Sequence, residues 1–273
     1  MKLNKQNWNI LKIKGTEVIR DQIIAELEDD IVGVENNDLE SYLYFNNDKE
    51  LNKKKINKFL NNFQLHDEWT WDLIKEQNWN KRCKDFFKPI IIKNKINIIP
   101  YWENTDDQFL NIKINPALAF GTGHHETTSM MIESLIEYSV KGRSVFDIGA
   151  GSGILSIIAK KLGAIKIDAI ENDSLCYNNF YENLELNKVD GINFYIEDCF
   201  NVNKFDYDVI LANLNTSVLL SLIPRIKSGN QTMIISGILD TDKQIIVETL
   251  DKYKIEIVEC KKLNEWLCFI LKF

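Results

Sequence analysis

Three glycines at alternate positions, Gly149, Gly151 and Gly153, follow directly on the β-like run Ser144 to Ile148. An apolar helical pattern begins at once after them, with Ile154, Leu155, Ile157, Ile158 and Leu162. Glycine has no Cβ, so a chain that turns through several of them lets its backbone approach a ligand closely. The N-terminus of the helix beyond favours polar or negative groups on that ligand. Asp147 stands two residues before the first glycine, and Glu171 ends a second β-run, Ile165 to Ile170. A carboxylate at that strand end can accept hydrogen bonds from the two hydroxyls of a ribose. Asn213 ends a further run, Tyr207 to Ala212, and its amide is both donor and acceptor. On the glycines alone a plain strand-to-helix turn is the competing reading. Glu171 in register with them points instead to a bound nucleoside.

The spacing G-x-G-x-G differs from the G-x-G-x-x-G of dinucleotide sites. It is the form found in the nucleoside loop of S-adenosylmethionine enzymes. On that reading Gly149 and Gly151 face the methionine portion and Glu171 the ribose, while Asp198 or the backbone beside it reads the adenine amino group. Asn213 opens the sequence N-L-N-T rather than N-P-P-Y, which argues against a flat base or amide as substrate. Its amide can contact the amino-acid end of the cofactor or orient an incoming amine. Phe120 stands between Ala119 and the glycine-bearing loop Gly121 to Gly123, where it can close over a cofactor or serve as plain core. His124 and His125 are adjacent and have no partner at ligand spacing, so a loop role is expected and no metal. No residue is assigned as a general base.

The elements that must position these groups alternate from Ile112 onward. Helices are expected over Glu126–Tyr138, Ile154–Leu162, Leu175–Leu186, Val218–Ile226 and Gln244–Leu250. Strands are expected over Ser144–Ile148, Ile165–Ile170, Ile192–Ile196, Tyr207–Ala212 and Thr232–Ser236. Such alternation implies a parallel sheet. The last two runs, Lys254–Cys260 and Trp266–Lys272, have no helix between them and should form an antiparallel hairpin at one edge. The expected fold is α/β, a class I S-adenosylmethionine-dependent methyltransferase with a Rossmann-like, mostly parallel sheet. Residues 1–62 read as a small β-α-β-β-α unit, an α+β ferredoxin-like domain, with Thr16 capping its first helix. Residues 63–81, Trp-rich and polar, read as a linker helix on the spacing of Trp71, Ile74 and Asn78. Residues 82–273 form the expected catalytic domain, opening with a hairpin, Ile90–Ile92 with Ile96–Tyr101.

Upstream of the nucleoside loop the chain reads P-A-L-A-F-G-T-G-H-H-E-T-T. With W-N-K-R-C-K-D-F-F-K-P-I before it, A-N-L after it and E-W-L-C near the C-terminus, this resembles the ribosomal protein L-eleven methyltransferases (PrmA-type). The resemblance spans nearly the whole chain and is strongest from Trp79 to Asn213. Asn115 stands where Asp is usual and Ala117 where Gly is usual. The resemblance implies S-adenosylmethionine-dependent N-methylation of lysine and N-terminal amines on ribosomal protein L-eleven, held by the first domain. It also implies a cofactor contact from the second Thr of the pair, here Thr128, whose helical position faces inward with Ile132 and Leu135. The alternatives are the same chemistry on another protein or a small amine, a binding module without catalysis, and, disfavoured by its glycine spacing, an NAD enzyme.

The 273 residues carry a net charge of −7 and 45% apolar residues, enough for real cores. An acidic chain is a poor generic nucleic-acid binder; its charge suits a basic protein partner or, equally, ordinary solubility. Five cysteines without a C-x-x-C pair imply free thiols in a reducing compartment. No apolar run reaches the ~18 residues of a membrane helix, and the N-terminus lacks a signal-peptide core. A cytoplasmic monomer is expected.

Overall fold

A computed structural model describes residues 8–16, 19–20, 23–24, 27, 31, 33–36, 40–46, 53–61, 69–74, 88–116, 125–226 and 229–273. The chain divides into two units, Met1–Phe86 and Phe87–Phe273.

In the first unit, strands β1 (Trp8–Lys14), β2 (Gly33–Asn36), β3 (Glu40–Asn46) and β4 (Trp69–Ile74) form one sheet in the order β2-β3-β1-β4. All neighbours are antiparallel. Helix α1 spans Lys53–Leu60, and described residues between β1 and β2 are also helical. The succession β-α-β-β-α-β with this strand order is ferredoxin-like. Leu11, Ile13, Leu43 and Phe45 from the sheet are buried with Ile23, Leu27, Ile56 and Leu60.

The linker helix expected over 63–81 is corrected here, because Trp69–Ile74 is a strand paired along β1. Trp69 and Trp71 turn toward the core while Thr70 and Asp72 are exposed, a period of two rather than 3.6. Trp71 packs on Phe45 at 5.4 Å and donates its indole N–H to Asn57 at 2.7 Å. The unit therefore runs past residue 62, since without β4 strand β1 would be left as an open edge.

In the second unit, β5 (Ile90–Ile92) and β6 (Ile96–Pro100) form the expected hairpin. Its central residues Lys93 and Asn94 both have positive φ, as a type I′ turn requires. Strand β7 (Leu110–Ile114) pairs parallel to β6. The large sheet contains β8 (Ser144–Ile148), β9 (Lys166–Glu171), β10 (Ile192–Ile196), β11 (Val209–Asn213), β12 (Thr232–Leu239), β13 (Glu256–Leu263) and β14 (Trp266–Lys272). Its order is β10-β9-β8-β11-β12-β14-β13, parallel except that β14 runs against both of its neighbours.

Alternate strand residues feed two apolar cores. Val145, Ile167, Val209 and Ile234 meet helices α2 (Glu126–Glu137), α3 (Ile154–Lys161) and α4 (Cys176–Leu186) on one face. Phe146, Ile148, Ile210 and Ile235 meet α5 (Thr216–Leu222) and α6 (Lys243–Lys252) on the other. Strands buried on both faces read as continuous apolar runs, as these do.

Asparagines tie the segment after β7 to α4. Asn187 accepts from Lys113 N–H at 2.8 Å and donates to Lys113 C=O at 2.6 Å. One turn earlier, Asn183 accepts from Asn115 N–H at 2.8 Å and donates to Ser152 C=O at 2.9 Å. Asn179 donates to Asn115 C=O at 3.1 Å. Residues four apart on a helix share one face, so this ladder gives an irregular segment its backbone partners. It also pins the glycine loop through Ser152.

Candidate active site

The site lies at the carboxyl ends of β8, β9 and β11, where the strand order reverses and open α/β sheets bind ligands. Gly149, Gly151 and Gly153 have φ of 73°, 51° and 80°, which side chains rarely adopt. Gly149 N–H and Ala150 N–H both donate to Ile170 C=O, closing the loop onto the adjoining strand. A Cβ on Gly149 would stand 2.4 Å from Leu214 Cδ2, and one on Gly153 would stand 2.8 Å from the Phe180 ring.

Glu171 ends β9 with its carboxylate already engaged by backbone. Gly151 N–H donates to Oε2 at 3.0 Å, and the N–H groups of Asn172 and Asp173 donate to Oε1 at 2.9 and 3.0 Å. A carboxylate has about four acceptor sites, so one remains for a ligand hydroxyl. Accepting from both hydroxyls of a ribose would require one backbone donor to let go.

Asn213 ends β11. Its amide donates to Thr127 Oγ1 at 3.1 Å and, at a longer 3.4 Å, to Thr128 Oγ1. Its Oδ1 is buried without a hydrogen-bond partner. His125 is the N-cap of α2, its Nδ1 accepting from Thr127 N–H and lying 2.8 Å from Thr127 Oγ1. The His125 ring sits edge-on to Trp266 at 4.8 Å.

These groups line a cleft of about 480 Å³ that includes His125, Thr127, Gly149, Gly151, Asn213 and Trp266. A second lobe of about 250 Å³ is lined by Ile170, Asn172, Asp198, Phe200 and Val218 among others. The two lobes share Gly149, Glu171, Leu214 and Asn215. Asp198 reaches the smaller lobe, its carboxylate capping the following turn by accepting from Phe200 N–H at 2.8 Å. The pair of lobes meeting at Glu171 fits a nucleoside with an amino-acid arm.

Gly149, Gly151, Glu171 and Asn213 are thus brought together as expected from their spacing. Thr128 is buried, as its helical phase requires, but the residue on the cleft wall is its neighbour Thr127. Phe120 and His124 lie outside the described residues, as does Ala117. His125, expected in a loop role, caps a helix and also lines the cleft. The sequence assigns no site role to Trp266, Leu214 or Asn215. Trp266 opens the last strand, and nothing in its local sequence places it beside α2. Gly237 holds Leu214 in place, since its φ is +86° and a Cβ there would stand 2.3 Å from Leu214 C=O.

Asp147, beneath the glycine loop, is fully buried; Ser156 Oγ donates to its Oδ2 at 2.6 Å, while Oδ1 has no partner. Burial raises its pKa from 3.8 to about 6, opposed by the Ser156 bonds and aided by Glu171. Cys176 on the cleft wall is held protonated, burial lifting its thiol to about 11. The described cysteines are free thiols, and among the described residues no cluster of three or more His, Cys, Asp or Glu could hold a metal ion.

A seven-stranded sheet of this order, with its reversed β14, a glycine loop after β8 and an acid at the end of β9, defines the class I methyltransferase fold. The profile of the family described as Ribosomal protein L11 methyltransferase (PrmA) matches residues 3–273, and the chain belongs to that family. It is 35% identical over 202 residues to the Ribosomal protein L11 methyltransferase of Acetivibrio thermocellus, covering 72% of this chain and 64% of that protein. It is 35% identical over 231 residues to that of Phocaeicola vulgatus, covering 81% and 82% respectively. The crystal structure of ribosomal protein L11 methylase from Lactobacillus delbrueckii subsp. bulgaricus superposes with a TM-score of 0.63 at 28% identity, over 68% of this chain and 98% of that one. The chain thus spans about two thirds of several curated relatives it matches, 64% in the first of them.

Proposed function

We propose that this protein is an S-adenosylmethionine-dependent protein N-methyltransferase whose substrate is ribosomal protein L11, modified on lysine and N-terminal amines. The observation that carries the reading is the cleft itself. Its glycine loop and Glu171 suit a ribose and its amino-acid arm, and Asn213 lines the same cleft. Gly149 and Gly151 admit the amino-acid arm, Glu171 receives a ribose hydroxyl, and the smaller lobe beside Asp198 and Phe200 takes the adenine. When bound, the cofactor supplies an electrophilic methyl on a sulfonium. The part of this chain would be to hold a neutral amine in line with that methyl and to keep water away from it. This needs orientation and desolvation more than acid–base catalysis.

The substrate assignment rests on the family and on the first unit, to which we assign the holding of the substrate protein. A cytoplasmic monomer is the corresponding state, and no described helix is long and apolar enough to cross a membrane. The test is incubation of the protein with labelled S-adenosylmethionine and unmethylated ribosomal protein L11. Label on L11 lysines or its terminal amine by peptide mass spectrometry is the expected result. Label appearing only on other proteins or on small amines would leave the cofactor reading and overturn the substrate.

A further inference from the structure

The smaller lobe of the cleft has walls from two distant parts of the chain. One is the single 3₁₀ turn Cys199–Asn201 after β10, which brings Cys199 and Phe200 to the lobe beside Asp198. The other is α5, which brings Val218 and its N-cap Asn215. The first wall is shaped by bonds that close on itself. Asp198 accepts from Phe200 N–H at 2.8 Å through its carboxylate and from Asn201 N–H at 2.9 Å through its C=O. Glu197 Oε1 accepts from Asn201 Nδ2 at 2.7 Å. Such bonds set the shape of a short turn but not its distance from α5. Arg225 spans that distance. It ends the turn Ile223–Arg225 that continues α5, and its Nη2 donates to Phe200 C=O at 2.6 Å and to Val202 C=O at 3.3 Å. Its guanidinium carbon lies 5.9 Å from the centre of the Phe200 ring, within cation–π reach. A planar, permanently charged fork suits this double duty.

We propose that Arg225 is a positioning residue for the cofactor, which clamps the turn after β10 and so holds Phe200 as a fixed apolar wall for the adenine. The proposal rests on the cofactor reading above. Arg225 lines neither lobe, whereas Phe200 lines the smaller one, so the arginine acts through the turn and not on the ligand. Phe200 is itself exposed at 36%, and Cys199 and Val202 on either side of it rest on the second core. Without the clamp the turn keeps those anchors, but the carbonyl of Phe200 and its ring are released toward solvent. A wall ordered before the ligand arrives removes that ordering cost from binding. The effect belongs to affinity and not to methyl transfer, because the reacting groups meet in the larger lobe. Nothing in the sequence joins the two residues, which stand 25 positions apart.

The test is a double-mutant cycle on the full-length protein. Calorimetry gives Kd for S-adenosylmethionine and for 5′-methylthioadenosine, which keeps the adenosine and lacks the amino-acid arm. The variants are Arg225→Ala, Phe200→Ala and the pair. Arg225 is exposed, so Arg225→Ala should weaken both compounds by about three- to tenfold, the range for a net hydrogen bond. The paired variant should bind within about twofold of Phe200→Ala alone. At saturating cofactor, kcat with L11 should stay within about twofold while KM for the cofactor rises. Unchanged affinity in Arg225→Ala, losses that multiply in the pair, or a loss confined to S-adenosylmethionine overturns the clamp. If Arg225→Ala does not fold, Arg225→Lys takes its place in the cycle. One ammonium in place of the fork should weaken both compounds by a smaller factor and add nothing once Phe200 is replaced; no change overturns the clamp. Failure of the unaltered protein to bind either compound overturns the cofactor reading and the clamp with it. Binding without transfer to L11 overturns the substrate reading and leaves the cycle to decide the clamp.

Discussion

At the scale of single residues the site depends on groups whose backbone and ligand duties overlap. Glu171 receives three backbone N–H groups and keeps about one acceptor site for ligand. Glu171→Ala should weaken S-adenosylmethionine binding by about 1–3 kcal/mol, the range for lost hydrogen bonds to a charged acceptor. Equal affinity by calorimetry would remove the ribose assignment. Gly149→Val should abolish cofactor binding for two reasons. The added side chain meets Leu214, which lines both lobes, and φ at this position is +73°. Circular dichroism would show the fold retained while binding is lost; normal affinity in a folded variant would place the loop outside the site.

At the scale of elements, the joint between β8 and α3 carries a pH dependence. The folded state holds the Asp147 proton up to about pH 6, whereas the ordinary value is 3.8. Between those values the folded protein binds more protons than the unfolded chain, so the unfolding free energy falls as the pH rises. The full cost of the buried charge, about 3 kcal/mol, is present above pH 6 and absent below about 3.8. Asp147→Asn keeps an acceptor for Ser156 and removes the charge. It should raise stability at neutral pH and flatten the slope between pH 4 and 6, as measured by urea unfolding across that range. A variant with an unchanged slope would show that the carboxyl is not the titrating group. Asparagine is frequent throughout the chain, yet Asn179, Asn183 and Asn187 act together as backbone partners for the segment leading into the signature.

At the scale of the whole molecule, the division at Phe86 sets which pieces can stand alone. Residues 1–62 lack β4 and the Trp69 and Trp71 side chains that pack on the first core. They should fail to show cooperative unfolding, while residues 1–86 should unfold in a single transition. A chain beginning at residue 87 contains the entire described cleft. It should keep cofactor affinity and lose methylation of L11, because without the first unit the effective concentration of substrate at the cleft collapses. Transfer to L11 at the full-length rate would show that the first unit does not hold the substrate.

Sequence by itself determined the parallel sheet, its closing hairpin, and the placement of Gly149, Gly151, Glu171 and Asn213 at the strand ends. Those features follow from local rules: strand and helix periodicity, and glycine at turns with positive φ. The same rules misread Trp69–Ile74, since a six-residue run with two tryptophans satisfies either period, and only the open edge of β1 decides for a strand. Contacts between elements far apart in the chain were decided by tertiary structure alone. The strand order brings Trp266 beside His125, the β12 bulge at Gly237 seats Leu214 under the cleft, and β11 delivers Asn213 to Thr127 rather than chiefly to Thr128. The orphaned oxygen of Asn213 belongs to the same category. Whether an amide is paired depends on every group that the fold packs around it, and no sequence spacing records that.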